Sequence, residues 1–436
     1  MKSVWRDTVR KPEFEALCGD QRTDVLIIGG GMTGILCAYM LQKRGVDCIL
    51  CEAEKICGGV TQNTTAKLTI QHGLFYEKTL CRLGKTVAQG YLRSQTEALE
   101  EYRKLCADYF CDWEEVDSFV YAKKDRRSLE EEVSAINALG GTARFAEHLP
   151  LPFGTEGAVC VPQQAQFHPL KLAYALAKRL RIFENTRVVE LTPNGARTDH
   201  GGIRAKRVVV ATHFPFINRH GLYFLKMYQH RSYVLGLEDA PNLGGMYVDA
   251  AMDGLSFRNY DGMLLLGGGA HRTGKRGGCW HELEQFARGH YSNAQVRYRW
   301  ATQDCMTLDG LPYIGQYSKK MPHVYVATGY NKWGMTSSMV AAMLLADLVT
   351  DRKNPYAEVY DPSRSVLHWQ TAVNLLESAK GILTPTVPRC PHLGCALKYN
   401  RLEHSWDCPC HGSRFTEDGR LIENPANRNK GKPRSG

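Results

Sequence analysis

Short unbroken apolar runs alternate along this chain with longer stretches in which apolar residues recur every three or four positions. In TDVLIIGGGMTGILCAYMLQKRGVDCILCEA, Val25–Ile28 is apolar at every position, the pattern of a strand buried on both faces. A helix is expected from the glycines to about Lys43, and then a second strand, Val46–Cys51, ending at Glu52. Arg207–Ala211 and parts of RIFENTRVVEL read as further strands. VYVATGYNKWGMTSSMVAAMLLADLV reads as a strand, a glycine turn and a helix beginning near Gly334. Leu74–Phe110 has the amphipathic spacing of one long helix. Tyr228–Leu237, Gly245–Val248 and Gly262–Gly267 read as strands of another sheet.

Length and composition bound this picture. A chain of 436 residues exceeds one compact core, so two or three domains are expected. With 43% apolar and 23% charged residues the balance is that of a soluble globular protein. The most apolar stretch, Met339–Val349, is too short to span a bilayer and reads as a buried helix. The charged opening, MKSVWRDTVRKPEFEAL, lacks the apolar centre of a secretory signal, and a cytoplasmic location is expected. The net charge of +10 is dispersed, apart from the tail NRNKGKPRSG, and no nucleic-acid partner is expected. Of the 15 cysteines, 11 precede residue 306 without regular spacing, which argues against a secreted disulfide framework. Cys37, Cys48 and Cys51 lie in apolar segments as small core residues.

The chemistry begins at Gly29, Gly31 and Gly34, spaced GxGxxG between a strand and a helix. Gly29 makes the tight turn, Gly31 admits a pyrophosphate to the backbone, and Gly34 lets helix and strand pack closely. The helix start offers free N–H groups and a positive dipole end to phosphates. Glu52 lies at the distance expected of a ribose acceptor. The motif does not separate FAD from NAD. The later segments do, because a helix start near Gly334 can face a flavin's pyrimidine edge and favour its reduced, anionic form.

Taken together, GGGMTG with Glu52, VVVATH, DGLPYIG and GYNKWGMT resemble the D-amino-acid-oxidase-like FAD oxidoreductases, relatives of glycine and sarcosine oxidases. GGVTQNTTAKLTIQHGLFY and QAQFHPLKLAYALA resemble a branch carrying a C-terminal Rieske iron–sulfur domain. The resemblance implies an α/β fold: a Rossmann-like FAD domain of the D-amino-acid-oxidase type, an interposed α+β substrate domain, and a small all-β Rieske module. The FAD domain would comprise 1–72, 151–220 and 300–365, the substrate domain 73–150 and 221–299, and the module 381–436. It also implies flavin contacts from Thr61, Asn63, Thr64 and Thr65, where relatives wrap pyrophosphate and flavin. Further contacts are implied from Val188, Ala211, Thr212, Gly310, Gly329, Gly334, Met335 and Thr336.

The stretch CPHLGCALKYNRLEHSWDCPCHGSRF presents Cys390-x-His392 and, 15 residues later, Cys408-x-x-His411. Two thiolates and two imidazoles on two loops suit a [2Fe–2S] centre, whose potential would lie at about −150 to +300 mV. Structural zinc is the alternative for a Cys2His2 set, although the extra cysteines, Gly394, Gly412 and Pro409 have no special need in a zinc site. His404 falls outside the pattern. In the Rieske proteins that these motifs resemble, the cysteines matching Cys395 and Cys410 form a disulfide, and that bond is expected here. Ser413 matches a serine that donates to cluster sulfur in high-potential relatives. Phe415 replaces their tyrosine, so an intermediate potential is expected. Only about nine residues separate a helix expected to end at Lys380 from Cys390. So small a module has little core: it leans on the FAD domain or lacks part of its scaffold.

Flavin takes two electrons and a Rieske centre one, which implies a dehydrogenase draining electrons to an outside one-electron acceptor, or the reverse flow. The family oxidises amines at a C–N bond. Its glycine-oxidase relatives place a carboxylate-binding arginine six residues before the DG glycine, where this chain has Asp304. An acid there would attract an amine or other cation, unless Asp304 pairs with Arg299 or Lys332. Lys332 matches a basic position near the flavin in relatives; Arg258 and His271 are weaker candidates. Two other readings stand beside this one: an electron-transfer reductase component without a small-molecule substrate, and a flavin-binding protein with a zinc-stabilised interaction module.

Overall fold

A computed structural model describes residues 2–217, 220–364 and 388–430. The helix expected to end at Lys380 lies outside the described residues.

The first sheet has eight strands. Its spine runs Tyr313–Ser318, Met321–Thr328, Gly201–Val210, Gln21–Ile28, Cys48–Cys51 and Ile182–Phe183, with Val188–Thr192 and Gly195–Thr198 attached as a hairpin. Gln21–Ile28 pairs in parallel with Gly201–Val210 on one side and Cys48–Cys51 on the other. Alternation along that strand explains its uniform apolar character. Val25 and Ile27 join the core beneath the helices Met32–Lys43 and Gly334–Leu348, while Leu26 and Ile28 join a second core with Val208, Val210, Tyr313 and Val326. Gly334–Leu348 is apolar all round because it is buried between this sheet and the helix Lys85–Asp108.

The second sheet has nine strands, ordered Gln295–Thr307, Met227–Glu238, Met263–Arg272, Ser256–Tyr260, Met246–Asp249, Glu114–Tyr121, Ala158–Gln166 and Lys67–Leu68, with Arg144–Ala146 at the side. Lys67–Leu68 and Ala158–Gln166 belong to it, although they fall in stretches 1–72 and 151–220. One face carries the helix Cys279–His290; the other faces the first sheet across a cavity. The single helix expected over Leu74–Phe110 is two, Tyr76–Leu83 and Lys85–Asp108. Gly84, at φ 82° and ψ 170°, breaks it in a conformation open only to glycine. Glu132 caps the first helix, accepting from the N–H groups of Phe75, Tyr76 and Glu77 at 2.8–2.9 Å.

The third sheet is an antiparallel meander of four short strands, Lys398–Asn400, Ser405–Asp407, Arg414–Thr416 and Leu421–Glu423. Its own core is small: Cys390, Cys395, Leu397, Cys408, Cys410, Phe415, Leu421 and Ala426. The module leans on the second sheet. Arg231, 3% exposed, donates to Glu403 and to Glu423 Oε1 at 3.1 Å, and Arg414 donates to Glu403 Oε2 at 2.8 Å. Asn424 Nδ2 reaches Thr212 O at 2.5 Å and Phe214 O at 2.7 Å. The burial of Glu403 would raise its carboxyl, but Arg231 and Arg414 hold it at about 2.

Candidate cofactor and substrate site

A cavity of about 840 Å³ lies between the first two sheets. Gly29, at φ 108°, approaches the next strand so closely that a Cβ would sit 2.6 Å from Ala211 O. A Cβ on Gly34 would overlap the carbonyl of Gly29, so Gly34 serves helix packing and does not line the cavity. Gly31 does line it, at the start of the helix Met32–Lys43. That helix has no side-chain cap from its N-cap residue, and neither has Gly334–Leu348; both open into this cavity. Two sets of first-turn N–H groups therefore face one space of cofactor size.

Glu52 borders the cavity with its carboxylate oriented by Gly30 N–H at 2.7 Å and Glu54 N–H at 2.9 Å, while burial raises its pKa. Thr61, Thr64 and Thr65 also line the cavity; Thr61 lies against Gly31, and its Oγ1 accepts from Met32 N–H at 3.0 Å. Val188, Ala211 and Thr212 line one end of the cavity, and Gly310, Gly334 and Met335 another part. Three expected contacts point elsewhere. Asn63 gives its carbonyl to Trp300 Nε1 at 2.9 Å, Gly329 packs on Thr307, and Thr336 bonds His72 and Thr69 O. Arg258 is buried away from the cavity, donating to Thr65 O and Ala66 O at 2.8 Å each, and His271 is engaged by Tyr233 OH at 3.0 Å.

Asp304 and Lys332 both face the cavity. Arg299 pairs with Glu284, and Lys332 Nζ donates to Met252 O at 2.8 Å. Among the described residues the Asp304 carboxylate makes no hydrogen bond. Burial pushes its pKa up to about 6 against the pull of Lys332 and Arg231, with Glu423 pushing the same way as burial. Burial likewise lowers Lys332.

Several cavity residues escaped the sequence reading. Lys67 lines it, its pKa lowered to about 7 by burial and by Arg258; His72 does too, stacked on Trp333 with ring centroids 4.8 Å apart. Lys67 and His72 sit inside the quoted stretch GGVTQNTTAKLTIQHGLFY, where threonine and asparagine drew attention first. Ile422, Glu423 and Asn424 come from the C-terminal module, and no local pattern signals that they reach the cavity.

In that module Cys390 and Cys408 bring their thiols into contact, and the His392 and His411 rings stand 4.9 Å apart at 83°. Burial, with His411 nearby, lowers His392 to about 4, so its imidazole is the neutral, metal-binding form. The contacts among the four thiols lower Cys408 and raise Cys390, Cys395 and Cys410. This donor set fits a [2Fe–2S] centre with sulfur and nitrogen ligation. The expected Cys395–Cys410 disulfide is a correction: no disulfide joins any of the 15 cysteines. The Cys395 and Cys410 sulfurs lie within 4.8 Å of each other and of Cys408, three thiols in one buried group rather than a separate bonded pair. Ser413 Oγ accepts from Ala426 N–H at 3.0 Å, and Phe415 is fully buried.

The family model for FAD dependent oxidoreductases matches residues 24–348, and the model for the Rieske [2Fe-2S] domain matches 355–432, beginning ahead of residue 381. A Bacillus subtilis protein described as a Rieske 2Fe-2S iron-sulfur protein, YhfW, is 32% identical over 98% of this chain and 96% of its own. Glycine oxidase from Geobacillus kaustophilus superposes with a TM-score of 0.68 at 20% identity, covering 79% of this chain and 100% of that one. L-proline dehydrogenase from P. horikoshii also gives 0.68, at 17% identity, covering 79% and 98%. The chain belongs to the D-amino-acid-oxidase-type family of FAD-dependent oxidoreductases and carries a C-terminal Rieske domain.

Proposed function

We propose that this oxidoreductase is a dehydrogenase for an amine-like small molecule, delivering electrons through its Rieske centre to an outside one-electron acceptor. The observation that carries this reading is the shared wall: Ile422, Glu423 and Asn424 of the Rieske module line the cavity that the FAD-binding glycines also line. When bound, FAD supplies a two-electron acceptor and the [2Fe–2S] cluster a one-electron carrier.

The residues proposed to hold FAD are Gly29, Gly31 and the first-turn N–H groups for pyrophosphate, Glu52 for ribose, and the start of Gly334–Leu348 for the pyrimidine edge. Cys390, His392, Cys408 and His411 are proposed as the iron ligands. Asp304 has an unengaged carboxylate, ionised above about pH 6, that accepts hydrogen bonds from a substrate ammonium group. Lys332, tethered to Met252 O, offsets that charge. The hydride lost from the amine's carbon would pass to bound FAD while the nitrogen proton leaves to water, and the resulting imine would hydrolyse. No helix among the described residues is long and apolar enough to cross a membrane, and a cytoplasmic setting is part of this proposal.

Anaerobic mixing with a panel of small amines tests the reading. Substrate amines should bleach the flavin of the wild type, with weaker binding to Asp304→Asn. Equal amine affinity in the mutant would remove Asp304 from the site. Bleaching by no amine, with flavin that still exchanges electrons with the cluster, would favour a reductase component.

A further inference from the structure

The loop bearing Cys408 and His411 sits on the second sheet through two buried amides, Gln229 and Gln303, each 1% exposed. Gln229 Nε2 donates to His411 O at 2.8 Å and to Asn424 O at 2.8 Å. Gln303 Nε2 donates to Gly412 O at 2.9 Å and to Gln229 Oε1, while Thr273 Oγ1 donates to Gln303 Oε1 at 2.9 Å. Both amides thus use their two donors and their acceptor, and a fully satisfied buried network holds one geometry.

The backbones also meet too closely for side chains. A Cβ on Gly412, at φ 85°, would lie 2.6 Å from Gln229 Cβ. On the facing side, a Cβ on Gly274, at φ 75°, would lie 2.7 Å from Pro409 Cα. Phe224 meets the His411 ring edge-on, with centroids 5.8 Å apart.

Strand alternation places these amides directly behind the cavity. Thr302 and Asp304 line it, and Gln303 between them points the other way, into the ligand loop. Tyr228 lines the cavity beside Gln229 on the paired strand. A covalent and hydrogen-bonded path therefore runs from Asp304 through Gln303 to Gly412 and His411.

We infer that Gln229 and Gln303 are positioning residues that fix the His411 loop behind the cavity wall, so that electrons pass between the two cofactor sites without movement of the module. The inference rests on the proposed electron exchange between flavin and cluster.

The test uses the whole protein with both cofactors. A deazaflavin light flash reduces the flavin, and the transfer of electrons to the cluster is followed optically. Gln303→Leu and Gln229→Leu keep side-chain size and remove the donors. Flavin photoreduction and cluster content should stay at wild-type levels. Transfer to the cluster should slow roughly tenfold or more, the scale on which partners behind a metal's own ligands act. The cluster's midpoint potential, read by EPR titration, should fall as donors to the ligand loop are lost. Gly274→Val, which wedges under Pro409 next to the Thr273 end of the network, should slow transfer in the same way. Unchanged transfer rates with an intact cluster would overturn the inference and leave the proposed function standing. Loss of the cluster in all three variants would also overturn it, since the residues would then retain the metal rather than position it. A wild type whose flavin and cluster exchange no electrons would instead overturn the functional reading beneath it.

Discussion

In the FAD-binding sheet, Val25 and Ile27 face one apolar core and Leu26 and Ile28 another, so the strand that presents Gly29 is seated by ordinary packing. In the C-terminal module, four of the eight buried apolar residues are cysteines, and two of these are proposed iron ligands. The first region builds a site on a core; in the second the site is most of the core. A glycine turn backed by a packed sheet survives without its ligand, whereas a module of short strands needs its metal and its neighbour.

The widest test of that contrast is removal of one ligand. Cys408→Ser should abolish the Rieske EPR signal and open residues 388–430 to protease, while the flavin spectrum persists. Flavin loss in the same variant would mean that the two regions fold as one unit. Next comes the docking network. Arg231→Met removes one of the two arginines paired with the buried Glu403, and the module's unfolding by denaturant should shift by about 3–5 kcal/mol. The same pair gives an acid dependence. The Glu403 carboxyl is held at about 2 against an ordinary 4.5, so its contribution is complete above 4.5 and lost as pH falls toward 2. Protease sensitivity of the module should rise over that window, and Glu403→Gln should remove the dependence.

Within the first region, Gly29→Ala pushes a methyl against Ala211 O and should cost about 1–3 kcal/mol with loss of bound FAD, measured by flavin content after gel filtration. The pH dependence at Asp304 runs the opposite way to that of Glu403. Its pKa rises from 3.8 to about 6 on folding, so the native state binds the extra proton and stability declines as pH climbs through that window. Amine binding should strengthen over the same rise, and Asp304→Asn should flatten both profiles. The smallest effect is expected at Phe415→Tyr, which adds a hydroxyl inside the module's core and should raise the cluster's midpoint potential. An unchanged potential would mean that the added donor does not reach the cluster.

The legible elements were those whose pattern is local. Gln21–Ile28, Met32–Lys43 and Gly334–Leu348 follow from apolar runs and periodicity, and the Cys/His spacing marks the metal site. The break at Gly84 was missed because an amphipathic pattern continues across it and a lone glycine does not force a turn. Asn63 and Thr336 lie beside cavity residues in sequence, yet the Asn63 side chain bonds Gly59 O and the Thr336 side chain is buried against His72. Adjacency in sequence fixes neighbourhood but not direction, because a turn or helix start rotates each side chain to a different bearing.

Sequence alone determined which chemistries this chain can hold: a glycine turn between strand and helix, and thiols and imidazoles at iron–sulfur spacing, all set by residues within a few positions of one another. Only tertiary structure decided that Glu423 borders the cavity, that Arg231 meets Glu403, and that Gln229 and Gln303 grip the His411 loop. Those contacts join residues some 110 to 190 positions apart. Sequence spacing carries no record of which distant side chains meet, because that is set by the joint packing of the sheets and by the burial of every polar group at their seam.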